Sequence, residues 1–163
     1  MSIVFDNPHA YRGVFIGQFA ELELVMGSFL SLYFVPSGDG NDIMSILIDR
    51  LTFESKRTAY KAVLDKIAVK NGFVKTKNNK YAYSELLDEI RKLNEIRIQF
   101  AHYYLADADM DKGHVIALVE FRNSPSVYEY SQEMFDIIFE RLENATKAVL
   151  KTYDHLLLDK KST

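Results

Sequence analysis

Apolar residues recur at a helical period through most of this chain, and few residues interrupt them: 163 residues include 7 Gly and 3 Pro. Successive helical residues turn by about 100°, so positions i, i+3, i+4 and i+7 share a face. On that count Phe15, Phe19, Leu22, Met26, Phe29, Leu30 and Tyr33 fall in one sector, which predicts a helix over 11–34. The stretch from Pro36 to Gly40 ends it. Asn41 or Asp42 can cap a short helix through Leu51, and Thr52 can cap the next. Phe53, Tyr60, Leu64 and Ile67 form that helix's stripe, Asn71-Gly72 ends it, and Lys75–Lys80 reads as a basic, solvated loop. Ser84 opens a third long helix with Leu86, Ile90, Leu93, Phe100, Ala101 and Tyr104 in its stripe. Ser131 and Glu133 open the last, whose stripe of Phe135, Ile138, Phe139, Leu142, Val149, Tyr153 and Leu156 runs to about Leu157.

Between the last two helices the period changes. His114–Phe121 and Ser126–Ser131 are rich in β-branched and aromatic residues and flank Arg122-Asn-Ser-Pro125, which predicts a β-hairpin. The expected fold is therefore mainly α: a four-to-five-helix bundle in one domain, 1–163, with a small β-hairpin after the third long helix.

Composition then removes whole classes of function. With no Cys there are no disulfides, thiolate nucleophiles or cysteine-bound metals. No uninterrupted apolar run approaches the ~18 residues of a bilayer span, and the N-terminus has no basic stretch or cleavage site of a secretory signal. No membrane association and a cytoplasmic setting are the resulting expectations. The net charge of −3 argues against a broad basic face, so any nucleic-acid site is a local cleft. Asp107, Asp109 and Asp111 resemble the start of a calcium loop, but Lys112 and Leu118 stand where its Gly and Glu belong, so a solvated acidic connection is expected. No metal and no cofactor is assigned.

Three charges lie inside apolar stripes. Counted round their helices, Glu23 falls about 80° from Phe15, Lys56 about 60° from Phe53, and Arg97 about 20° from Leu86. A buried charge without a partner is costly, so Glu23 is expected to pair with Arg97, Lys56 or both. His102 follows Arg97 by five residues, about 140° round the helix. A cation that binds phosphate and an imidazole that moves a proton together suit cleavage of a phosphate diester.

The run Leu93-Asn-Glu-Ile-Arg97-Ile-Gln-Phe-Ala-His102 resembles the signature of the HEPN superfamily, in which an Arg is followed after four to six residues by a His near a helix end. Ile98 stands where that family often carries Asn or another polar residue. The resemblance implies a compact helical bundle that forms a homodimer through its motif helices. It further implies a metal-independent endoribonuclease or an RNA-binding protein, of the kind found among toxins and defence effectors. Carried over by position, Arg97 binds the scissile phosphate and His102 transfers a proton, with Asn94, Glu23 and Lys56 in support. An antitoxin or other regulatory protein is a further expected partner. The alternative is a non-catalytic helical interaction or scaffold domain in which Glu23, Lys56 and Arg97 form a structural network.

Overall fold

The computed structural model describes residues 4–5, 7–36, 38–73, 81 and 83–159; the expected loop Lys75–Lys80 lies outside them. The chain is mainly helical, with one three-stranded antiparallel sheet. In order it forms α1 (Pro8–Phe34), α2 (Asp39–Asp49), α3 (Phe53–Lys70), α4 (Ser84–His102), β1 (Tyr104–Ala106), a 3-10 turn (Met110–Lys112), β2 (His114–Glu120), β3 (Ser126–Ser131), α5 (Gln132–Thr152) and α6 (Asp154–Asp159).

The helix starts follow capping chemistry, with two corrections. α1 begins at Pro8, a turn earlier than the stripe suggested. The Asn7 side chain accepts from the Ala10 amide at 3.0 Å, and Pro at the first position loses no hydrogen bond there. α2 begins at Asp39 and has Gly38, at φ +87°, as its cap residue. Asn41 lies inside this helix, where its side-chain amide donates to Val35 O at 2.7 Å. Thr52 caps α3 as expected, accepting from Ser55 N at 3.2 Å. Asn71 and Gly72 end α3 in a Schellman motif: Gly72 N donates to Val69 O and Phe73 N to Ala68 O, with Gly72 at φ +83°.

Two more expectations need correction. The single last helix is two, because the chain turns at Tyr153, whose amide reaches back only to Leu150 O. The hairpin is the larger part of a three-stranded sheet. β2 pairs with β3 as expected, but β1 adds the other edge, with Tyr104 opposite Val119 and Ala106 opposite Ala117. Tyr104 therefore leaves the α4 stripe; it is 64 % exposed on the sheet.

α1 is long and apolar enough to cross a bilayer by length and composition alone, a property that a buried core helix shares: its most apolar 18-residue window has a mean hydropathy of 1.3. Polar residues interrupt the window without lowering its average much, so a count of uninterrupted residues passes over it. Its stripe of Phe15, Phe19, Leu22, Met26, Phe29 and Leu30 is buried within the protein.

The chain forms two compact units, Met1–Ala20 with Ile90–Asn144 and Glu21–Glu89 with Ala145–Thr163. The first contains the sheet and an aromatic core: Phe100 lies 4.6 Å from Phe15 and 5.2 Å from Tyr130 between ring centroids, and Tyr11 meets Phe135 edge-on at 4.8 Å. Burial of such rings is a leading stabilising term, with edge-on geometry adding to it. The second unit contains α2 and α3. Its core joins Phe29 to Tyr60 and Tyr153, and the Tyr153 hydroxyl donates to Val25 O at 2.7 Å.

Candidate functional site

In the first unit the start of α1 and the end of α4 run antiparallel. Arg12 bonds to Ala101, Phe15 packs on Phe100, and Phe19 lies against Arg97. This pairing positions the motif helix. α4 ends at His102, where the last carbonyls of any helix lack internal partners and carry partial negative charge. Arg12 meets that need: its Nη2 donates to Ala101 O at 2.8 Å. Arg12 is the one Lys or Arg among the 27 residues of α1, and that isolation was the available signal for a residue the sequence analysis passed over.

Arg97 is half-buried, and its guanidinium lies over the Phe19 ring at 5.9 Å. A cation over an aromatic face is stabilised by about 0.5–2 kcal/mol, which accounts for a charge in an apolar stripe. Among the described residues of this unit, no carboxylate pairs with it. One turn earlier, Asn94 Oδ1 is buried without a hydrogen-bond partner among the described residues. An unmet buried acceptor costs about 1–3 kcal/mol. His102 is exposed, and among the described residues no hydrogen bond joins it to Arg97. That separation agrees with their angular distance on one helix.

The sheet adds exposed aromatic surface directly after His102. Tyr104 and Phe121 are 64 % and 70 % exposed, and their rings lie 6.1 Å apart. Tyr130, by contrast, belongs to the core: it is buried against Phe100, and its hydroxyl donates to Gln99 Oε1. Burial pushes its phenol up to about 12. In the segment after β1, Asp109 turns on its own neighbour. It accepts from Lys112 N and pairs with Lys112 Nζ at 2.8 Å, which holds its carboxyl below the usual range. The acidic connection is thus a capped 3-10 turn.

The second unit holds the other two supporting residues together. Lys56 Nζ donates to Glu23 Oε1 at 2.8 Å, with Lys56 only 5 % exposed. The expected partnership of Glu23 is met by Lys56. The same unit carries an open cleft of about 370 Å³ lined by Lys61, Asp65, Val69, Phe73 and Tyr81. Lys61 closes one side through Asp65 at 2.6 Å and sits 5.7 Å from the Tyr81 ring centre. Set beside known protein families, curated proteins and solved structures, the chain matches none of them.

Proposed function

We propose that this chain is a HEPN-like RNA-directed protein, acting on RNA without a metal through a homodimer that pairs its α4 helices. The observation that carries this reading is Arg97: a half-buried guanidinium in the motif helix, held by an aromatic ring and paired with no carboxylate among the described residues of its unit. Such a group retains its donors for an anion, and a planar fork of donors suits phosphate. His102 stands exposed at the end of the same helix, able to take or give a proton.

Arg97 and His102 lie about 140° apart on one helix, which places them on different sides of a single copy. Two copies packed along α4 bring the Arg97 of one toward the His102 of the other across a two-fold axis. In that arrangement the RNA 2′-hydroxyl attacks the neighbouring phosphorus as His102 takes its proton. The phosphorus bond to the 5′-oxygen breaks, that oxygen leaves as a hydroxyl with a proton returned by the imidazolium or by water, and a 2′,3′-cyclic phosphate forms. Arg97 offsets the charge that grows on the phosphate oxygens. Tyr104 and Phe121 offer exposed rings on which flanking bases stack. An antitoxin or other regulatory protein that covers the same cleft belongs to this reading.

The test is cleavage of a mixed RNA pool in EDTA by the wild-type chain and by His102→Ala. We expect cyclic-phosphate ends from the wild type alone. Equal cleavage by both proteins overturns the role of His102, and neither cleavage nor RNA binding by the wild type overturns the reading.

A second reading has its own observation. Lys56, buried, pairs with the half-buried Glu23, as a structural network in a non-catalytic interaction or scaffold domain requires. On that reading the supporting roles of Glu23 and Lys56 are structural, and neither touches RNA.

A further inference from the structure

Several arginines of this chain are neutralised by a carboxylate close in sequence: Arg57 by Glu54, Arg91 by Glu95 and Arg122 by Glu120. Arg12 is not. It is half-buried, its Nη2 donates to Ala101 O at 2.8 Å, and no carboxylate pairs with it among the described residues of its unit. The carbonyl end of a helix carries only about half a negative charge, so this bond aims the guanidinium without cancelling it. A guanidinium has five N–H donors, and the carbonyl accepts from one of them. The remaining donors suit an anion, and their planar fork suits phosphate.

Arg12 also lies on the same flank of the α1–α4 pairing as Arg97. Round α1, Arg12 is about 20° from Phe19, the ring that carries the Arg97 guanidinium. Round α4, Ala101, which holds Arg12, is about 40° from Arg97. The two anchoring points are one turn apart on α4 and two turns apart on α1, or about 6–10 Å along the seam. A nucleic-acid strand carries a phosphate about every 3.4 Å of duplex rise, and more widely when extended, so neighbouring phosphates of one strand span that interval. With a net charge of −3, the chain has no broad basic excess for a duplex, whereas two aligned cations suit a single strand.

We infer that Arg12 is a second phosphate-binding residue. It holds a backbone phosphate close to the one on Arg97, and a single strand of RNA lies along the α1–α4 seam. The inference rests on the RNA-directed reading above and adds to it a residue outside the motif helix. Arg12 touches no reacting atom; it fixes the strand on which Arg97 and His102 act.

The experiment measures binding without cleavage. The probe is a short 2′-O-methyl oligouridylate, whose attacking hydroxyl is blocked, titrated in EDTA over a series of salt concentrations. Wild type, Arg12→Met, Arg12→Lys and Arg97→Met are compared, each checked by circular dichroism to be folded at the assay temperature. On a single strand, each phosphate neutralised adds about 0.7 to the slope of log affinity against log salt. We expect Arg12→Met to lose about 0.7 of that slope. It should also bind roughly tenfold more weakly at low salt, as the loss of one charge-assisted contact implies. Arg12→Lys should keep the slope, because an ammonium still neutralises the phosphate. A purely structural role at the end of α4 would lower affinity and leave the slope alone. Two results overturn the inference: an Arg12→Met slope equal to that of wild type, or a slope lost equally in Arg12→Lys. If Arg97→Met loses slope and Arg12→Met does not, the inference falls and the RNA-directed reading stands. A wild type that does not bind the probe removes both.

Discussion

Lys56 lies almost wholly out of solvent with its ammonium 2.8 Å from Glu23 Oε1, and this pair links α3 to the second half of α1 within one unit. A paired buried charge contributes little net stability, because desolvation of both groups offsets their attraction. Removing one member is a different matter. We expect Glu23→Ala to destabilise the chain by about 3 kcal/mol, since it leaves the Lys56 ammonium uncompensated. The double variant Glu23→Leu with Lys56→Met should lie within about 1.5 kcal/mol of wild type, because two apolar side chains of similar volume need no partner. Urea unfolding of the two singles and the double checks this. A double variant as unstable as the worse single would show that the site needs charge.

The position of Arg97 over Phe19 predicts a split between stability and activity. Arg97→Ala should lose RNA cleavage and about 1 kcal/mol of stability, the worth of the lost cation–ring contact. His102→Ala removes an exposed side chain, so its unfolding midpoint should match wild type while cleavage disappears. The checks are denaturation midpoints and RNA products of the two proteins side by side.

Arg12 anchors the end of the motif helix through Ala101 O. A charge-assisted hydrogen bond of this kind is worth about 1.5–3 kcal/mol, and Arg12→Met should lose most of it while keeping the aliphatic stem. Hydrogen exchange should accelerate first in the last turn of α4, because its final carbonyls lose their cationic partner.

Gly72 closes the Schellman motif at φ +83°, and a Cβ added there meets nothing within 4 Å. The cost of Gly72→Ala is thus one of backbone conformation alone. We expect a loss of about 1 kcal/mol, from adopting a left-handed geometry that L residues disfavour. Thermal unfolding measures it directly.

Alkaline pH should unfold the protein through its tyrosines. Burial raises the phenols of Tyr60 and Tyr153 in the second unit and pushes that of Tyr130 in the first to about 12. An unfolded tyrosine ionises near about 10. Their stabilising effect is therefore fully present below about pH 10 and is lost as pH rises through the folded values. Since the chain has no Trp, tyrosinate absorbance follows the transition cleanly. A stability profile flat to about pH 12 would contradict these assignments.

Periodicity made most of the helices legible. The stripe from Phe15 to Leu30 and that from Tyr60 to Ile67 are buried as their spacing implied. The caps at Thr52 and Gly72 were legible because they depend on one or two residues near in sequence. β1 was not, since three residues carry no readable alternation, and Tyr104 also fitted the period of α4. For α2 a capping Asn41 or Asp42 predicted a short helix but gave no sign of which side faces the core; the bonds of Ser45 and Asn41 to α1 and its end decide that.

What the sequence determined alone was local: which segments are helical, where the period turns to strand, and which charges sit among apolar neighbours. These follow from steric and capping rules that act within a few residues. Which partner each charge took was decided only by tertiary structure. Lys56 reached Glu23, Arg97 came to rest on Phe19, and Arg12 found a carbonyl at the far end of α4. A long charged side chain has several partners within reach at nearly equal energy, and only the packing of helix on helix makes one of them the nearest.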